Sequence, residues 1–181
     1  MRLRTLCHLL IGCTLATAEQ PLHAVQTDPL QAMVLTGQNN HGWQVLSAHY
    51  KNILEETGLF EVDVVTSPPP GGDMTDFAPD FSRYDVVVIE YNGDEWPATV
   101  KRSFERYMEH GGGMVYAHAV NHTFTDWPAF NEMMGIGGWG GRDERAGPYV
   151  KFRDGKMVLD HRPGHAGECV DAHAFSVVTR D

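Results

Sequence analysis

The feature that most limits how this chain can fold is the run Tyr84-Asp85-Val86-Val87-Val88-Ile89-Glu90-Tyr91. It is continuously apolar and β-branched at its centre rather than alternating. That pattern suits a central parallel strand covered on both faces. Asn92-Gly93-Asp94 then turns the chain, and Pro97 suits the first turn of a helix. Val100, Phe104, Tyr107 and Met108 follow at i, i+4, i+7 and i+8, one apolar stripe. Gly111-Gly112-Gly113 ends that helix, and Met114 to Ala117 reads as the next strand.

The same unit occurs once before. Ala32 to Thr36 is a short apolar strand closed by Gly37, and Leu46, Tyr50, Ile53 and Leu54 mark a helix that Gly58 ends. Phe60 to Thr66 alternates at its start, as an outer strand with one wetter face does. Strand–helix units in series with short connections imply right-handed crossovers and a parallel sheet. The expected fold is therefore α/β: a flavodoxin-like open parallel sheet, order 2-1-3-4, with helices on both faces. Beyond it the sequence predicts a short helix at 128–134 and a hairpin of 149–152 with 156–159 across Asp154-Gly155. His173 to Thr179 reads as a last strand. We find no internal repeat.

The first 18 residues stand outside this pattern. Arg2 and Arg4, the apolar run Leu6 to Leu15 and Ala16-Thr17-Ala18 have the three-part layout of a secretory signal peptide. The run is too short for a membrane span. Leu10-Ile11-Gly12-Cys13 offers a second reading, a lipoprotein box with Cys13 as the lipidated residue. The expected organisation is a signal peptide at 1–18, an N-terminal tail at 19–31 and one domain at 32–181, exported to a periplasmic or extracellular location.

The chain has 14 Lys and Arg against 24 Asp and Glu, net −10. Removal of the leader takes away two arginines and no acid, which makes it more acidic still. Such a surface repels phosphate backbones, so nucleic acid is not an expected partner. Neutral sugars and cationic ligands are compatible with it. Of three cysteines, Cys7 and Cys13 lie in the leader, so the mature chain keeps Cys169 alone and has no internal disulfide. Cys169 sits in a Gly/Pro-rich loop without a nucleophile elbow and reads as a bystander.

In open parallel sheets ligands bind outside the carboxyl ends of the strands. The order 2-1-3-4 makes neighbours of the loops at Gln38 to Trp43, Asn92 to Trp96 and His118 to Asp126. They carry Asn39, Asn40, His41, Asn92, Asp94, His118, Asn121 and His122, with Trp43 and Trp96 as flat apolar surfaces. Amides, carboxylates and indoles are what a sugar needs: partners for hydroxyls and a π-face for the ring. Imidazoles add acid/base capacity near neutral pH. Plainer readings stand beside these. His118 suits a buried, hydrogen-bonded strand-end histidine, His122 a loop residue and Asp94 a helix cap. His118 and His122 have the i, i+4 spacing of a metal pair, but that spacing converges on a helix rather than at a strand end. The glycine-rich loop around Trp139 suits either a lid that stacks on ligand or a tight crossing.

Thr36-Gly37-Gln38-Asn39-Asn40-His41, Asp85 to Ile89 with Asn92-Gly93, and Gly111 to Gly113 with His118-Ala119, Asn121 and Asp126-Trp127-Pro128 together resemble the ThuA-like (trehalose utilisation) family. The resemblance covers residues 31 to 181. It implies a fold like that of class I glutamine amidotransferase domains and a role in catabolism of trehalose and related, often 3-keto-modified, sugars. At the position of the amidotransferase cysteine this chain has His118 between two alanines, so glutamine hydrolysis through a thioester is excluded there. ThuA-like domains also run on past the strand that ends near Asp181, so the resemblance implies an incomplete domain.

The expectation is a sugar-active hydrolase, lyase or isomerase. His118 or His41 is its acid/base; Asn40, Asn92, Asn121 and Asp94 orient the substrate; Trp43 and Trp139 stack on it. A divalent metal, if used, falls to His118 and His122. The rival expectation is a non-catalytic carbohydrate-binding module built on Trp43, Trp96 and Trp139, and a third is a partner-binding domain that keeps only the fold. The sequence carries no signal for oligomeric state.

Overall fold

A computed structural model describes residues 28–135, 137, 141–166 and 174. The leader, Trp139, Cys169 and the strand expected at 173–179 lie outside the described residues, save for Ala174. Six strands and three α-helices follow in chain order: β1 (Leu30–Thr36), α1 (Trp43–Glu56), β2 (Phe60–Thr66), β3 (Val86–Ile89), α2 (Ala98–Glu109), β4 (Gly113–Tyr116), α3 (Pro128–Met134), β5 (Tyr149–Arg153) and β6 (Lys156–Asp160).

The first four strands form one parallel sheet in the order β2-β1-β3-β4. Val34 pairs with Val64 on one side and Val88 on the other, and Val88 pairs with Val115. Strand alternation sorts the side chains onto two faces. Met33, Leu35, Val87 and Ile89 point into the larger core with α2 and α3; Ala32, Val34, Val62 and Val88 face α1 through Tyr50 and Leu54. Helices thus lie on both faces. The hairpin β5–β6 is a separate antiparallel pair, in register across Asp154-Gly155.

The two faces differ in how they are covered. On the α2 side, Phe81, Tyr91, Trp96, Phe104, Phe124, Trp127 and Phe130 form a continuous aromatic cluster, each at most 4% exposed. Trp96 sits 4.8 Å from Phe124 and 6.1 Å from Phe104, both edge-on, and Phe124 stacks on Tyr91 at 5.8 Å. These are the offset and edge-to-face geometries that aromatic rings prefer. Trp96, expected at a ligand surface, is therefore a core residue at 2% exposure.

On the α1 side the cover is partial. The helix packs chiefly on β2 and β1. Val115 of β4 is 52% exposed where its neighbour Val88 is 6% exposed. Ile53, expected on the buried stripe, is 47% exposed on this thinly covered side. The gap between α1 and the ends of β3 and β4 is where a pocket opens.

Phe124 holds a backbone φ of +54°, unusual for a bulky residue, while only 2% exposed. Packing on all sides keeps it there. Phe124→Ala should therefore cost about 3–5 kcal/mol in urea unfolding. A loss under about 1 kcal/mol would mean that the cluster does not anchor the segment after β4.

Candidate active site at the carboxyl ends of the strands

The ends of β1, β2 and β3 are tied together by one buried amide. Gln38 is 2% exposed. Its Nε2 donates to Pro68 O at 2.8 Å and to Asp94 Oδ2 at 3.3 Å, and its Oε1 accepts from Asp94 N at 2.8 Å. Its carbonyl accepts from Asn92 N at 2.8 Å. Asp94 Oδ2 accepts a second hydrogen bond, from Gly71 N at 2.6 Å. Two glycines permit the close approach. A Cβ on Gly93 would overlap the Gln38 side chain, and one on Gly37, at φ +123°, would meet Ser67 Oγ at 2.5 Å. Asp94, expected to orient a substrate, is thus engaged in bracing loops.

Above this brace lies a second chain of contacts. Glu90, directly after β3, is 1% exposed. Its Oε2 accepts from Thr36 Oγ1 at 2.8 Å and its Oε1 from Asn39 Nδ2 at 2.8 Å. Asn39 Oδ1 in turn accepts from His41 N at 3.1 Å, so the buried carboxyl sets the loop that carries His41. Asn92 Nδ2 donates to Asn40 Oδ1 at 3.3 Å, a more exposed link between the same two loops.

His118 reaches this group from β4. Ala117 N donates to Ile89 O at 2.9 Å, which continues the sheet one residue past β4. The chain then turns at once into a short 3-10 helix, His118–His122. His118 itself takes φ +41°. A strand, a residue at positive φ and a helical turn is the layout of a nucleophile elbow, here presenting an imidazole. Its ring centroid lies 4.9 Å from that of His41, tilted by 49°.

His41, His118 and Glu90 share a pocket of about 510 Å³ with Asn39, Leu46 and Tyr50 among its lining residues. The structure thus brings together His118 and His41. Asn40 and Asn92 pair with each other, Asn121 is half-buried on the 3-10 helix, and Trp43 is half-buried at the first turn of α1. Glu90 is the residue that reading the sequence missed. Its signal was an acid at the very end of an otherwise apolar buried strand, a position where a charge has no reason to sit for packing alone.

His118 and His122 lie at the two ends of a 3-10 helix, not on an α-helix. The i, i+4 spacing that stacks two residues on one α-helical face does not carry over to the tighter 3-10 turn, and His118 itself departs from helical geometry at positive φ. Among the described residues, no three His, Cys, Asp or Glu side chains gather as a metal-binding group.

Glu90 makes no ion pair with a described residue. Burial pushes its carboxyl above the ordinary 4.5, and the Thr36 hydrogen bond only partly opposes this. A raised carboxyl pKa means that the native protein holds the proton more tightly than the unfolded chain does. That contribution is complete below the unfolded value and is lost as pH rises through the native one. The stability of wild type relative to Glu90→Gln should therefore fall as pH rises from 4.5. Urea midpoints of both proteins across pH check this; a constant difference rejects it. Independently, Gln38→Leu should destabilise by about 1–3 kcal/mol, because it leaves buried partners unpaired.

Comparison with known proteins agrees with this architecture. A family model described as ThuA, trehalose utilisation, matches residues 14–173. The chain superposes on the crystal structure of a ThuA-like protein from Parabacteroides merdae with a TM-score of 0.72 and 48% identity, covering 76% of this chain and 50% of that one. A ThuA-like protein from Bacteroides uniformis matches at 21% identity and TM-score 0.48, covering 68% of this chain and 50% of that one. The chain thus spans half the length of both. No match was found among curated proteins. By its sequence match and by its structural similarity, the chain belongs to the ThuA family.

Proposed function

We propose that this protein is an exported enzyme of carbohydrate catabolism acting on trehalose-like or 3-keto-modified glycosides. One observation carries the reading: two imidazoles 4.9 Å apart, one of them on a positive-φ elbow, at a pocket with a buried carboxyl beneath. A strained backbone residue persists only when its surroundings over-determine it, and such residues cluster at sites that do chemistry. An imidazole there can take a proton from a sugar hydroxyl or from the carbon next to a keto group, and return it later. Asn40, Asn92 and Asn121 supply amides for hydroxyl groups. Trp43 offers an apolar surface at the near end of α1. The net charge of −10 favours a neutral substrate over an anionic one.

His118→Gln keeps the polar character and the backbone demand of the residue but removes the imidazole that would move the proton. Turnover of trehalose or 3-keto-trehalose should fall by about 10²–10⁴-fold, the usual scale for loss of a general acid or base, with melting nearly unchanged. His118→Gly should abolish turnover as well, yet raise stability by up to about 1 kcal/mol, because glycine adopts positive φ without penalty. Wild-type rates in His118→Gln would sink the acid/base assignment. Glycoside binding without turnover in any variant or in wild type would leave a binding module in its place.

A further inference from the structure

We propose that Glu90 contacts the ligand directly, as an un-ionised carboxylic acid that donates a hydrogen bond to an uncharged carbonyl or hydroxyl oxygen. The proposal rests on the sugar reading of the same pocket and extends it to a residue and a ligand chemistry. Three observations carry it. Glu90 lines the pocket while it is only 1% exposed, so its carboxyl is held out of bulk water at the pocket wall. It accepts one hydrogen bond at each oxygen, from Thr36 and Asn39, which fixes its plane and leaves one lone pair per oxygen unused. It has no cationic partner among the described residues, although a buried carboxylate without one is costly.

The titratable groups that line the pocket with Glu90 are His41 from the loop after β1, Tyr50 from α1 and His118 from the elbow; Thr36 and Asn39 are its neutral hydrogen-bond neighbours. None of them forms an ion pair with it. A proton on the carboxyl removes the cost of an isolated buried charge and turns an acceptor-only group into a donor. The O–H then takes a direction that Thr36 and Asn39 leave unused, which we assign to the pocket that Glu90 lines. A ligand oxygen that accepts it completes the group's hydrogen bonding. An ammonium ligand would instead require the ionised form, so the two ligand classes call for opposite protonation states.

The experiment has two arms on the intact chain. Difference infrared spectra of wild type against Glu90→Gln at neutral pH should show a carboxylic-acid C=O band that the variant lacks. Calorimetry with trehalose and with 3-keto-trehalose should then give three results. Glu90→Gln, whose amide still donates, binds within about threefold of wild type, and Glu90→Ala binds about tenfold or more weakly. Wild-type affinity declines as pH rises and the band disappears, while that of Glu90→Gln stays level. Absence of the band in wild type, or equal affinities for wild type and Glu90→Ala, overturns the proposal. Loss of binding in Glu90→Gln as deep as in Glu90→Ala overturns it too, because it marks an ionised acceptor. If wild type binds neither sugar, the carbohydrate reading fails and the ligand contact fails with it; the band alone then shows whether Glu90 is a resident acid.

Discussion

A primary amide taken out of water needs every one of its partners, and Gln38 finds them on two other loops. Its side chain reaches the carbonyl of Pro68 after β2 and both the backbone and carboxylate of Asp94 after β3, while its own carbonyl takes Asn92 N. An unmade bond at such a position costs about as much as a typical destabilising mutation. The loops therefore stay together because separating them would strand buried polar groups. The short span from Asn39 to His41, which Glu90 holds in place, leaves directly from this knot.

The β4 side of the pocket is held by different physics. The 3-10 helix at 118–122 has a positive-φ residue at its start and another just beyond its end, His118 and Phe124. Phe124 is locked by ring contacts with Tyr91, Trp96, Trp127 and Phe130. The exposed His118 has no comparable packing of its own. The aromatic cluster beneath thus sustains the strain at the elbow by fixing where the segment must end. Hydrophobic burial on one face of the sheet positions an imidazole on the other side of the turn.

Charge and burial then set the pocket's chemistry. Glu90, Thr36 and Asn39 form a compact polar group facing α1, in a region where α1 covers the sheet only in part. Partial cover leaves room for a ligand while the carboxyl stays out of bulk water. That combination separates this acid from the carboxylates that lie in open solvent.

The strand order, the helices on both faces and even the hairpin at Asp154-Gly155 were legible in the residues themselves. Local periodicity reports burial, and Val86 to Ile89 admits few alternatives to a central parallel strand. The convergence of His41 and His118 followed from that order alone. What the sequence could not decide was which polar residues serve the pocket and which serve the scaffold. Asp94 and Trp96 have the same composition signal as ligand-binding residues, yet one braces loops and the other fills the core. Glu90 looked like the tail of an apolar strand, and its role depends on Thr36 and Asn39, more than fifty residues earlier in the chain. Periodicity along a chain determines the faces of its elements, but a side chain's partners across elements exist only once the sheet has assembled and excluded water from between them.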